Sequence, residues 1–219
     1  MDKSQILNAY AFRHACKAFD SQKKISDADF DVILEAGRLS PSSFGFEPWQ
    51  FLVVQNPTLR EKILPIACGQ QQITTASHLI ITLHRRGDDL KPGSDYLESF
   101  MRDVQKLPDD VHKMIGDFYA YFQNTLFKIA GDDYKVAEWA ARQTYLPMAN
   151  MMTTAAMLGI DSCPIEGFVR DDLEALLAAE AGVDLSKFGV AHITAFGYRE
   201  AEPKRAKTRR SRDEVVRFI

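Results

Sequence analysis

Apolar positions recur at helical spacing through most of the chain, and short β-rich runs interrupt them. Phe30, Ile33, Leu34 and Gly37 share one helical face behind Ser26 and Asp29, which have the spacing of a capping box. This predicts a helix that stops at Ser40-Pro41, followed by a breaker-rich loop, SPSSFGFEPW. Residues 50–55 (QFLVVQ) read as a strand, and Asn56-Pro57 as the N-cap and first turn of the next helix. Residues 78–84 (HLIITLH) are a second β-rich run. Residues 95–107 and 109–130 look helical, and the second carries an aromatic group of Phe118, Tyr119, Tyr121, Phe122 and Phe127. A long helical stretch over 136–158 ends at Gly159. Its Ala149, Met152, Ala155, Ala156 and Met157 line more than one face, as in a core or a dimer interface. Pro147 predicts a kink in that stretch or its true start. SCPIEGF then leads to a helix near 171–180, and residues 190–196 (VAHITAF) form a last strand. Helix outweighs strand.

The length, 219 residues, and the absence of an internal repeat or low-complexity linker indicate a single domain over 1–219. The longest low-charge stretch, 144–160, is too short and too polar to span a bilayer, so no membrane partner is expected. The first residues, MDKSQILNAY, lack a basic-then-apolar signal, and three cysteines without a CxxC pair suit a reducing, cytoplasmic setting. The net charge of −3 hides an asymmetry: residues 199–219 carry eight basic and four acidic side chains, leaving the rest of the chain at −7. Such a tail could be a solvated end, a phosphate clamp or a nucleic-acid contact, and with no basic patch elsewhere the last is the weakest.

The usual catalytic signatures are missing. Five histidines show no HExxH or Cys/His spacing, so no metal is expected; no GxSxG surrounds Ser40, Ser42 or Ser43. Neither GxGxxG nor GxxxxGK[ST] occurs, so a nucleotide phosphate would need another device. Two cationic clusters offer one: Arg13, His14 and Lys17 near the start, Lys207 and Arg209 near the end.

RHACKAF (13–19), SPSSFGFEPWQFLVV (40–54), GQQQITTASHLI (69–80), LGIDSCPIEGF (158–168), AFGYR (195–199) and KTRRSRDEVV (207–216) link those clusters. In this order over nearly the whole chain, they resemble the FMN-dependent nitroreductase family, most of all its oxygen-insensitive bacterial and quinone-reducing members. The resemblance implies an α+β fold: a central, mostly antiparallel sheet flanked by helices, in an intertwined homodimer. In that arrangement the C-terminal extension, about 199–219, packs on the partner subunit.

Where residues match, the resemblance also implies roles. Arg13, His14 and Lys17 would hold the FMN ribityl-phosphate and the N1/O2 side of the ring, with Ala15 where relatives often have serine. Pro41, Ser42, Ser43 and Gly45 lie in the loop that reaches the flavin of the partner subunit. Gln70 and Gln72 face the flavin pyrimidine, where some relatives have a lysine at position 72. Pro164, Ile165, Glu166 and Gly167 pack against the flavin, with the Glu166 N–H toward N5. Lys207 and Arg209 grip the phosphate. Phe44, Phe122 and Phe127 are the expected acceptor wall, against the plain alternative of core packing.

The implied activity is FMN-dependent transfer from NADH or NADPH to a small electron-poor acceptor such as a nitroaromatic or quinone, by ping-pong hydride transfer. The flavin carries the chemistry, with no catalytic side chain required. A flavin-storage or redox-sensing protein, or a dehalogenating or flavin-destroying member of the superfamily, would keep the same clamps.

Overall fold

The computed structural model describes residues 2–219. Helix α1 (Lys3–Phe12) starts at Asp2, which accepts from the Ser4 N–H while Gln5 closes a capping box. Helix α2 (Asp27–Arg38) starts at Ser26, whose side chain accepts from the Asp29 N–H, and ends where the sequence predicts. Strand β1 (Trp49–Val53) leads to α3 (Pro57–Ile66), capped by Asn56 with proline in its first turn. A short α4 (Gln72–Thr75) precedes β2 (His78–Arg85). An excursion follows, with α5 (Asp95–Ser99) and α6 (Asp109–Tyr121), before α7 (Asp133–Gln143) and α8 (Tyr145–Met157). Strand β3 (Asp161–Ile165), α9 (Arg170–Ala181), β4 (Phe188–Gly197) and a short α10 (Arg212–Val215) complete the chain.

The four strands form one antiparallel sheet in the order β1-β2-β4-β3. One face carries Leu79, Ile81, Leu83, Cys163, Ile165, Ile193 and Ala195, packed on Ile63 of α3 and on Leu173 and Leu177 of α9. The opposite face presents Ile80 and Phe196 to Phe30 and Ile33 of α2 and to Met148, Met151 and Met152 of α8. A Cβ at Gly37 would stand 2.8 Å from the Met151 sulfur, so only glycine lets α2 approach α8 this closely. A third cluster, largely aromatic, lies between the excursion, α7 and residues 44–46.

Three departures from the sequence expectation have physical causes. SCPIEGF contains a strand: Pro164 obscures it in sequence, and the sheet tolerates it because β3 is an edge strand. The stretch over 136–158 departs in being two helices meeting at Thr144, while Pro147, in the first turn of α8 where its missing N–H breaks nothing, marks a helix start, one of the two outcomes expected of it. The helices of the excursion each end in a π-turn, Phe100–Val104 and Phe122–Leu126, each followed shortly by a lysine of positive φ, Lys106 and Lys128.

Candidate functional site

Beyond α1 the chain runs extended along β3, with a parallel bridge between Ala15 and Ser162 and a Cys16 N–H donated to the Ser162 carbonyl at 3.1 Å. This pairing sets the predicted residues 13–17 beside the predicted residues 164–167. The C-terminal tail returns over the same place, where Lys207 donates to the Tyr10 carbonyl. Between them is a cavity of about 540 Å³, lined by Arg13, His14, Ala15, Arg205, Lys207 and Arg209 among others. Burial, and then the charges of Arg13 and Arg209, lower the pKa of Lys207. Among the described residues no carboxylate pairs with Arg13, Lys207 or Arg209, while the nearby Glu202 and Asp161 are both engaged by Arg199. Arg13, Lys207 and Arg209 thus meet here without a counterion.

Asp161 anchors one wall of this cavity. It is 2% exposed and accepts from the Arg199 backbone N–H (2.9 Å) and Nε (3.0 Å), with Nη2 in ion-pair contact at 2.8 Å. The Arg199 guanidinium also lies 4.4 Å over the Phe12 ring, which ties β4 to the end of α1. His14 Nδ1 stands 3.6 Å from Asp161 and has no hydrogen-bond partner. Burial first, then Asp161, pushes the neighbouring Cys16 thiol up to about 11. His14, Cys16 and Asp161 bring one donor atom each within 4.8 Å of one another, but the Asp161 oxygens already serve Arg199. The sequence does not show Asp161 and Arg199 as a pair, since they are 38 residues apart and only the antiparallel β3–β4 pairing brings them together.

A second group sits on the other side of residues 15–17. Lys17 Nζ approaches Cys163 Sγ at 3.7 Å, and Gln72 Nε2 approaches the same sulfur at 3.6 Å. Gln72, 3% exposed, also donates to Gln70 Oε1, and Gln70 donates to the Gly167 carbonyl at 2.9 Å. A Cβ at Gly167 would come within 3.2 Å of Gln70 Nε2, so glycine keeps this edge open. Burial raises the Cys163 thiol, which leaves it an uncharged acceptor. Pro164 is half-buried, Ile165 buried and Glu166 exposed. The Glu166 carboxylate accepts from Tyr145 OH at 2.8 Å, and burial followed by that contact pushes the phenol up to about 12. Behind Tyr145 lies the fully buried His192, its ring centroid 5.2 Å away, driven down to about 4 by desolvation. The structure therefore gathers Arg13, His14, Ala15, Lys17, Gln70, Gln72, Pro164, Ile165, Glu166, Gly167, Lys207 and Arg209 along one edge of the sheet.

Residues 41–47 lie elsewhere in the chain. Among the described residues no hydrogen bond joins them to 13–17, 162–167 or 205–209. Pro41 is exposed, the Ser43 N–H donates to Gln143 Oε1, and Ser42 Oγ accepts from the Glu47 N–H. Phe44 and Glu47 adopt positive φ, 61° and 45°, as does Gly45 at 67°. The Phe44 ring lies 5.0–5.9 Å from Phe46, Phe118, Tyr119 and Phe122. Phe122 is 7% exposed, inside this cluster, and Phe127 is 51% exposed with its ring 4.4 Å from Phe122. The sequence reading missed Gln105, Tyr96 and Gln143, which fasten the loop, because nothing in their local spacing marks a contact this distant in sequence.

The Nitroreductase family model matches residues 10–198. YfkO of Bacillus subtilis, assigned as an NAD(P)H nitroreductase, is 45% identical over 218 residues, covering 99% of this chain and 98% of its own. An NAD(P)H:FMN oxidoreductase assigned in Staphylococcus epidermidis superposes with a TM-score of 0.78 at 22% identity, covering 100% of this chain and 96% of its own. A nitroreductase assigned in Exiguobacterium sibiricum, solved in complex with FMN, gives 0.74 at 20% identity over 100% and 98% of the two chains. At such identities the two structures speak for the fold, and the sequence match speaks for kinship. The chain belongs to the nitroreductase family and has its fold.

Proposed function

We propose that this chain is an FMN-dependent NAD(P)H oxidoreductase that reduces small electron-poor acceptors, nitroaromatics and quinones among them. The observation that carries the reading is the unneutralised meeting of Arg13, Lys207 and Arg209 beside a cavity of about 540 Å³. Their combined charge fits a dianionic phosphate, and the Gln70, Gln72 and Lys17 donors fit the polar edge of a flavin ring. When bound, FMN supplies a two-electron relay that takes hydride from NADH or NADPH and passes it to the acceptor. Lys17 stabilises the negative charge that reduction brings to the ring edge, a preorganised electrostatic role. Gln72 can donate hydrogen bonds there but adds no charge. Glu166 and Gly167 would pack against the ring of a bound FMN, and the Tyr145 hydrogen bond holds the Glu166 side chain in place.

Two copies complete the site on this reading. The loop carrying Pro41, Ser42, Ser43 and Phe44 shares no hydrogen bond with the cradle of its own chain among the described residues and would cover the flavin of the partner. Exposed Leu7, Tyr10, Met157, Val215 and Phe218 supply apolar surface for such a homodimer. No described helix is long and apolar enough to cross a membrane. The free, exposed thiol of Cys68 suits a reducing, cytoplasmic compartment. Light scattering combined with flavin quantitation tests the assembly: a dimer with one FMN per chain is expected, and a monomer with full FMN occupancy would contradict it.

A further inference from the structure

The loop 41–47 holds three consecutive or nearly consecutive residues at positive φ, two of them not glycine. Such backbone is unfavourable for residues other than glycine and persists only where its surroundings enforce it. Tyr96 OH donates to the Phe46 and Glu47 carbonyls and Gln143 accepts from the Ser43 N–H, while at residues 44–45 the enforcing group is Gln105. Its Nε2 donates to the Phe44 carbonyl at 2.9 Å and to the Gly45 carbonyl at 3.3 Å. A Cβ at Gly45 would stand 2.9 Å from the same nitrogen, so position 45 requires glycine for both conformation and space. Gln105 is itself held by an irregular segment: its N–H donates to the Phe100 carbonyl in the π-turn, and Lys106 follows with φ 53°. One carboxamide therefore joins two strained segments that lie about sixty residues apart in sequence.

We propose that Gln105 is a positioning residue for the acceptor site, fixing the Phe44 wall and coupling it to the excursion between β2 and α7. This rests on the oxidoreductase reading and assigns a determinant of acceptor fit within it. Of the two cluster members borne on this loop, Phe44 is the half-buried one, and it touches Phe118 and Phe122 of the excursion on one side and the fully buried Phe46 of its own loop on the other. Without the two hydrogen bonds, Phe44 and Gly45 relax toward ordinary backbone and the ring leaves its place between them. The Gln105 Oε1, buried and without a partner, makes no competing bond that would replace the anchor.

The test uses Gln105→Met, which keeps length and removes the donors, and Gly45→Ala, which disrupts the same contact from the other side. Hydrogen exchange on the holoenzyme reads the loop directly: the Gly45 and Glu47 amides, bonded to Ser42, should exchange about tenfold faster in either variant. The amides of β2 and β4 report whether the whole protein has been loosened, and should not change. The KM for a quinone should rise roughly tenfold, more than kcat falls, and the double variant should be no worse than the worse single one. Unchanged exchange at Gly45 and Glu47, or a fall in kcat with KM constant, overturns the proposal. A wild-type protein that takes up FMN but is not reduced by NAD(P)H overturns the functional reading instead, and the acceptor role of Gln105 with it.

Discussion

Replacing Asp161 by asparagine isolates the anchor of the cofactor cradle. Asparagine keeps the volume and one acceptor oxygen but removes the charge that Arg199 neutralises. Asp161 is 2% exposed and the Arg199 side chain 15%, so breaking the pair belongs to the buried regime, where removal of one partner costs about 3–5 kcal/mol. Arg199 keeps a second carboxylate, Glu202 at 2.9 Å, and its stacking on Phe12, so the lower end, about 3 kcal/mol, is expected. For a domain of this size that corresponds to a fall in Tm of roughly 6–12 °C. The assay is urea unfolding of the apoprotein at fixed chain concentration, for Asp161→Asn, Arg199→Met and the double variant. The double variant should recover part of either single loss, because it leaves no unpaired buried charge. FMN affinity provides a check of opposite sign. A carboxylate beside a phosphate repels it, so a purely electrostatic Asp161 would yield tighter FMN binding when neutralised. Positioning through Arg199 predicts weaker binding. A stability loss below about 0.5 kcal/mol, or strict additivity of the two single variants, would refute the reasoning.

Other outcomes follow from single features. Lys207→Ala should weaken FMN binding about 10–100-fold, the worth of one charge-assisted hydrogen bond, and leave riboflavin binding by the apoprotein unchanged; equal losses for the two flavins would remove the phosphate from the cradle. Gly189→Ala should destabilise by about 1–3 kcal/mol in urea unfolding, because its Cβ would meet His84 Nε2 at 2.7 Å and Glu174 Oε1 at 3.1 Å. His192 is neutral in the fold, with its pKa driven down to about 4 from 6.5, so the unfolded chain binds more protons between those values. Stability should therefore rise with pH across that window, by on the order of 3 kcal/mol from this residue, and His192→Leu should flatten the slope between pH 4 and 6.5. An unchanged slope in that variant would assign the dependence to other groups.

The chain's local signals carry much of the fold. Ser26 and Asn56 mark helix starts that the structure keeps, and the β-rich runs 78–84 and 190–196 become the two central strands. Strand β3 was hidden because an edge strand tolerates Pro164 and because its partners, β4 and residues 15–16, are remote in sequence. The cationic clusters were legible as residue types, and their meeting at one cavity follows only from the tail crossing α1 at Tyr10. Gln105 and the Asp161–Arg199 pair were illegible for the same reason: each acts through one long-range contact that leaves no periodic trace. Phe122 and Phe127 look alike in sequence and differ in the fold: their rings lie 4.4 Å apart, with Phe122 interior and Phe127 half-exposed.

An anaerobic absorption spectrum of the purified protein, taken before and after NADPH or NADH and again after a quinone or nitroarene, addresses the central claim most directly. The account predicts an oxidised flavin spectrum that bleaches with at least one of the two donors and returns, without oxygen, when the acceptor is added. A colourless protein that fails to take up added FMN, or a yellow one that neither donor bleaches, would contradict it.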